Sequence, residues 1–286
     1  AFDIGGVRVT RRDEGYFTAK DGLRLFWRSA VPEATPRAWV GVVHGYGDHS
    51  GRYAWVIDQL VASGLGVMAV DYRGHGKADG RRADVGVWDD YLGDLQTFWD
   101  KLRGAAGTAP TFLLAHSHGG LMASHWAATN PAGLEALVLT APFLRLAFEP
   151  PPLKIFGAKL IKGLLPSMHL SNELKLEDLS RDVAWQKSSG EDPLYLHVTT
   201  PRWFFACSDA QERLAGRGKD ITVPLFIAAG TADRIASMPA ARAFFDTIAS
   251  KDKTWKDYPD FRHEVLCEVN KEQPMSDIVA WISAHL

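Results

Sequence analysis

Residues 111–120 read Thr-Phe-Leu-Leu-Ala-His-Ser-His-Gly-Gly. The apolar run Phe112 to Ala115 is short and continuous, the pattern of a strand buried on both faces. It stops at His116-Ser117-His118-Gly119-Gly120. Beyond that, Leu121, Met122, His125, Trp126 and Ala128 fall at helical spacing. Strand, sharp turn and helix are the context in which G-x-S-x-G lifts a serine clear of the backbone as a nucleophile elbow. Such a turn needs small neighbours. Gly119 and Gly120 meet that need, and Ala115 stands where the pattern has its first glycine. The bland alternative makes Ser117 an ordinary helix N-cap.

Outward from this stretch, the chain repeats the same rhythm. Trp39 to Val43 is a buried strand ending in His44-Gly45-Tyr46-Gly47-Asp48-His49-Ser50-Gly51-Arg52-Tyr53. Val56 to Leu60 suits a helix. Gly66 to Val70 is a strand closed by Asp71-Tyr72-Arg73-Gly74-His75-Gly76, and Trp88 to Leu102 is a long helix. Ala136 to Leu139 follows as a strand. Strands alternating with helices imply a mostly parallel sheet flanked by helices. Ahead of it, Val7–Thr10, Tyr16–Thr18 and 23–29 read as strands, the last alternating as a half-buried antiparallel strand would. Asp21-Gly22 makes a hairpin turn.

The rhythm breaks after Thr140-Ala141-Pro142-Phe143. Residues 143–222 hold three consecutive prolines, an amphipathic segment at 153–165 and polar helical patterns, but no strong buried strand. They read as a cap inserted over the sheet of a single domain. Within it Leu153, Phe156, Leu160, Ile161 and Leu164 form one stripe at about 100° per residue. The stripe either packs on the sheet or lines the entrance to a pocket. The rhythm resumes with the strand Pro224–Ala229, the turn Gly230-Thr231-Ala232-Asp233, a helix near 239–249, the strand Thr254–Tyr258 and a last helix at 274–285.

Composition narrows the function. A hydrophobic content of 46% with 23% charged residues is that of a globular protein, and a formal charge of −2 gives no electrostatic case for nucleic acid. Two cysteines, Cys207 and Cys267, supply neither a metal set nor a disulfide framework and read as reduced structural thiols. No apolar run reaches the ~18 residues of a membrane span. Ala1 to Glu14 carries no signal-like apolar core, so a cytoplasmic location is expected, with peripheral contact at membranes through the cap.

A serine hydroxyl needs a base, and the base needs a carboxylate to hold its tautomer. Sites in open α/β sheets form beyond the carboxyl ends of the strands. Asp233 follows the strand 224–229, and His263 follows 254–258. Asp257 and Asp260 compete with Asp233, and His118 competes with His263, although its side chain should diverge from Ser117 as the helix begins. The oxyanion would take backbone N–H groups from His118 and from the loop after 39–43, where Tyr46 is the candidate. The Tyr46 ring then lines the pocket or simply packs.

These segments, with Ala141-Pro142, Asp192-Pro193-Leu194 and His263-Glu264, resemble the monoacylglycerol lipase and lysophospholipase branch of the α/β-hydrolase superfamily. The order Ser117, Asp233, His263 is the order of that superfamily. The resemblance covers most of the chain, leaving the first strands and the cap helix poorly matched. It implies an α/β-hydrolase fold with a helical cap after the sixth strand, roughly residues 143–222. It further implies an acyl-ester serine hydrolase without cofactor or metal, an acyl-ester lipid as substrate, and transient contact of the cap with a membrane or micelle. Leu153, Phe156, Leu160 and Ile161 would bind substrate at the entrance. The chain departs from the family pattern at Asp48 for Glu, Ala78 for Ser, Ala115 for Gly and His118 for Met. Other readings on the same fold are a general carboxylesterase, a cofactor-free perhydrolase and an aminopeptidase, the last needing cap carboxylates such as Glu173, Glu177 and Asp178. Dehalogenases and epoxide hydrolases place an aspartate where Ser117 stands. A hydrolase-like binding protein would have lost a triad member.

Overall fold

The computed structural model describes residues 9–286. In chain order it holds β1 (Val9–Thr18), β2 (Arg24–Pro32), β3 (Trp39–Val43), α1 (Ala54–Ala62), β4 (Gly66–Asp71), α2 (Trp88–Ala106), β5 (Thr111–His116), α3 (Ser117–Ala127) and β6 (Leu134–Thr140). Next come α4 (Pro152–Leu164), β7 (Leu170–Ser171), α5 (Leu176–Leu179), α6 (Val183–Glu191), β8 (Val198–Thr199) and α7 (Pro201–Ala215). The chain finishes with β9 (Leu225–Gly230), α8 (Met238–Thr247), β10 (Lys253–Tyr258) and α9 (Glu272–Ser283).

Eight strands form one sheet in the order β1-β2-β4-β3-β5-β6-β9-β10. β1, β2 and β4 pair antiparallel; every pair from β4 to β10 is parallel. The central strands read as unbroken apolar runs because both faces are covered. In β5, Leu113 and Ala115 enter one core and Phe112 and Leu114 the other, as a period of two requires. α2, α3, α7 and α8 cover the first face through residues such as Trp99, Trp126, Leu214 and Phe245. α1 and α9 cover the second through Ile57, Leu60, Ile278 and Ile282.

Two expectations need correcting. Val7–Thr10 and Tyr16–Thr18 are not separate strands: the extended backbone runs unbroken through Arg11–Gly15, while Val7 and Arg8 lie outside the described residues. An edge strand can carry exposed charged side chains because only its backbone must pair, here to β2 over nearly its whole length. The stretch 143–222 also contains a short antiparallel ladder, β7 with β8, too brief to leave a sequence pattern.

Several contacts tie the segment between β6 and β9 to the loops at the carboxyl ends of the strands. Asp84 accepts from the Thr200 hydroxyl at 2.8 Å and from Arg202. His49 Nε2 lies 2.9 Å from Asp192, and Leu196 N–H donates to Gly47 O at 2.7 Å. Gly47 has φ +76°, and a Cβ there would sit 2.8 Å from Leu196 O, so only glycine lets the two loops meet.

Candidate active site

Ser117 is the first residue of α3, directly after β5, with φ at +51°. A left-handed non-glycine residue costs about 1–3 kcal/mol and persists only where its surroundings dictate it. Here they do. A Cβ on Gly119 would stand 2.5 Å from His44 O and 2.8 Å from Val43 O, so the first turn of α3 presses against the end of β3. Behind the turn, Phe143 N–H donates to Ser117 O at 3.0 Å.

The structure brings the three residues singled out in the sequence into one chain of hydrogen bonds. Ser117 Oγ lies 2.7 Å from His263 Nε2, and His263 Nδ1 lies 2.8 Å from Asp233 Oδ2. Asp233 Oδ1 accepts from the backbone N–H groups of Ile235 at 2.8 Å and Ala236 at 2.9 Å, which fixes the carboxylate. A carboxylate only accepts, so Nδ1 carries the imidazole proton and Nε2 faces the serine hydroxyl as an acceptor. His263 and Ser117 are buried, and the Asp233 side chain is shut away from solvent. Asp257 and Asp260, the competing acids, are exposed, and Asp257 bonds the Trp255 indole N–H instead.

His118 points away from Ser117. It is fully buried and lies between Tyr72 Oη and Trp203 Nε1, each 3.2 Å from one ring nitrogen. Burial holds its pKa well below the usual histidine value, so the ring is neutral. Tyr46 does line the cavity, and its ring also packs, stacked on Trp203 with centroids 3.6 Å apart.

A cluster of charges lies under the site and was not read from the sequence. His116 Nε2 is 3.2 Å from Glu264 Oε1, and Arg52 Nε is 3.1 Å from Asp48. Burial opposes charge on all of these. For His116 the negative Glu264 overcomes it and raises the pKa; for Glu264 the positive His116 overcomes it and lowers the pKa. Asp48 is pushed up to about 7 by burial and by the neighbouring Glu264 charge. His116 and Glu264 immediately precede and follow, in turn, Ser117 and His263 in the chain, so the cluster braces both from beneath. Its Arg52 also reaches the inserted segment, with the guanidinium 5.2 Å over the Trp185 ring and 5.1 Å over Tyr195.

Ser117 and His263 open on a cavity of about 220 Å³, walled by Phe143, Leu146, Tyr195, Trp203, Cys207 and Ile235 among others. Trp203, Phe204 and Cys207 recur along α7 at helical spacing, which was the one available signal for this wall. The apolar stripe on α4 does not form this wall. Leu153, Phe156 and Leu160 are 81%, 59% and 57% exposed and line none of this cavity; Leu164 is 82% exposed. Ile161 is half-buried and borders a neighbouring cavity instead. α4 turns its Ile155, Ala158 and Ile161 side inward, where Gly157 and Ala158 leave room, and so the other four residues of the stripe face outward.

A mostly parallel sheet with a serine elbow after β5, an aspartate after β9 and a histidine after β10 defines an α/β-hydrolase. The profile of the hydrolase family described as serine aminopeptidase, S33, matches residues 34–270, and the chain belongs to that family. It is 30% identical over 276 residues to a monoacylglycerol lipase of Mycolicibacterium smegmatis, covering 96% of this chain and 98% of the relative. The crystal structure of the Paleococcus ferrophilus monoacylglycerol lipase is 29% identical, covers 97% of this chain and all of that one, and superposes with a TM-score of 0.80. A monoglyceride lipase from Saccharomyces cerevisiae, solved with a substrate analogue, shares the fold at a TM-score of 0.85 and 22% identity, covering 98% of this chain and 97% of its own. The lipase-like resemblance read from the motifs is borne out by these relatives.

Proposed function

We propose that this protein hydrolyses acylglycerol-type esters, monoacylglycerols or lysophospholipids, through an acyl-enzyme on Ser117. The observation that carries the reading is the hydrogen-bonded chain Ser117–His263–Asp233 opening on a mainly apolar cavity. Its lipase relatives add support for a lipid ester.

In the first half-reaction His263 Nε2 takes the proton of Ser117 Oγ as that oxygen attacks the ester carbonyl. Asp233 holds the imidazole in the required tautomer and stabilises the imidazolium. The backbone N–H groups of Tyr46 and His118 receive the oxyanion. His263 then protonates the departing alcohol, and the same groups activate water to release the fatty acid. The inserted segment 143–222 acts as a cap: α7 supplies the wall that holds the acyl chain. Each methylene buried there is worth about 0.8 kcal/mol. The exposed face of α4 meets the lipid surface through Leu153, Phe156, Leu160 and Leu164.

An aminopeptidase reading, suggested by the family description, needs a carboxylate for the substrate ammonium. Among the described residues lining the cavity the carboxylates are Glu173 and Glu264. Glu173 is exposed and paired with Lys154, and Glu264 is buried against His116. The ester reading is therefore preferred over it. Initial rates on an ester panel of rising acyl length, with a lysophospholipid and a peptide amide included, test the choice. Esters should be cleaved with rates rising with chain length; preference for the amide would overturn it.

A further inference from the structure

Tyr72 follows β4 directly, and its hydroxyl lies 2.9 Å from Gly45 O and 3.2 Å from His118 Nδ1. His118 Nε2 lies 3.2 Å from Trp203 Nε1 on α7. The proton positions along this chain follow from chemistry. An indole N–H only donates, so His118 Nε2 accepts and Nδ1 carries the ring proton. Nδ1–H then donates to the Tyr72 oxygen, and the Tyr72 O–H donates to Gly45 O. Every bond points the same way, from α7 to Gly45. His44 adds a second donor, with Nδ1 2.7 Å from the same carbonyl. Burial presses the His44 pKa down to about 3, so that ring too is neutral.

The carbonyl at the end of this chain shares its peptide unit with the Tyr46 N–H. Donors on Gly45 O fix the plane of that peptide and, by polarising it, strengthen the N–H on its far side. The Tyr46 ring is meanwhile stacked on Trp203, so α7 touches this loop by two routes. We propose that Trp203, His118 and Tyr72 are positioning residues that aim the Tyr46 N–H at the oxyanion, so that the seating of α7 sets the oxyanion donor. This rests on the reading above, in which Tyr46 N–H is such a donor.

Tyr72→Phe removes the hydroxyl while leaving the ring, which stacks on His44 at 4.2 Å. With a monomeric butyryl ester, kcat should fall about tenfold with KM within roughly twofold, less than the ~10²–10³ for outright loss of a donor. The rate of labelling by a fluorophosphonate, whose tetrahedral adduct needs the same N–H, should fall by a similar factor. Trp203→Phe keeps an aromatic ring against Tyr46 and removes the indole N–H, so it should cost a smaller factor, roughly threefold, and the double variant should be no slower than Tyr72→Phe, because the hydrogen bonds lost lie on one chain. Should Tyr72→Phe fail to fold, Trp203→Phe carries the same comparison of kcat with KM. A purely structural role would lower the melting temperature of the folded variants and leave kcat within twofold. That result, a change confined to KM, or simple additivity of the two losses overturns the proposal alone. A wild-type enzyme that is not labelled at Ser117 overturns the ester-hydrolase reading, and the proposal with it.

Discussion

The carboxyl end of the sheet and the outer face of α4 carry the two sets of residues that the sequence marks as functional, and they are held in opposite ways. Ser117, His263 and Asp233 sit on turns that follow β5, β10 and β9, all anchored by parallel ladders. Every polar atom in that chain has a partner, and the backbone strain at Ser117 is sustained by packing against β3. α4 buries no residue fully, and its largest apolar side chains stand in solvent. A rigid frame can fix a reacting group to within a hydrogen-bond length. An apolar face without a covering is suited to a partner that needs no fixed geometry, such as a lipid surface.

The largest effect should come from the sheet end. His263→Ala should lose about 10⁴–10⁶-fold in kcat, because the members of such a triad act as a unit. His118→Ala should lose far less, since its backbone N–H remains. The opposite ranking, measured on a soluble ester, would break the contrast between the two histidines. At the α4 face the effect should be smaller and should depend on the substrate's physical state. Leu160→Asp or Phe156→Asp should lower the rate on a micellar dodecanoyl ester about tenfold, in keeping with the ~1.5–3 kcal/mol of burying one such side chain. The rate on a monomeric butyryl ester and the melting temperature should hardly change. Equal loss on both substrates, or unfolding, would mean that the stripe does not act at an interface.

The smallest effect should be a shift with pH in the cluster beneath the site. Asp48 is raised to about 7 by burial and then by Glu264, so the folded protein binds its proton more tightly than the unfolded chain. Its contribution to stability is complete below the unfolded value of ~3.9 and is lost as pH rises through about 7. His116 is also raised, against burial, by Glu264, and acts in the same direction. Glu264 is lowered and counts only in acid. The melting temperature should therefore decline as pH rises from about 5 to about 7, and Asp48→Asn should flatten the decline by a few degrees. An unchanged slope in the variant would remove Asp48 from the account.

What the sequence disclosed follows the same division. Ser117 and Asp233 were legible because each follows a buried apolar run, β5 and β9; β10 is half-exposed and carries no such run, and His263 stood out by its place between the last strand and the last helix. Ala115 and Asp48, departures from the family pattern, did not obscure the triad. The cavity wall was not legible, because Phe143, Tyr195, Trp203 and Ile235 come from four separate places in the chain and share no period. On α4 the helix was readable from its spacing, but its orientation was not. A stripe of Leu and Phe normally faces inward, yet here the smaller Ile155, Ala158 and Ile161 side does so. The direction of that choice is set by α7, to which nothing in the local pattern of α4 refers. The charge cluster escaped for the same reason: His116 and Glu264 are far apart in sequence and meet only once β5 and β10 lie in one sheet.

The central claim is that the serine after β5 is the residue acylated in turnover. Treatment of the wild-type protein with a fluorophosphonate, followed by peptide mass mapping, tests it most directly. The account predicts one adduct per chain, located on Ser117, with loss of esterase activity in proportion to labelling. It also predicts neither labelling nor turnover in a folded Ser117→Ala variant. An adduct on another residue with Ser117 unmodified, or esterase activity retained by the variant, would contradict it.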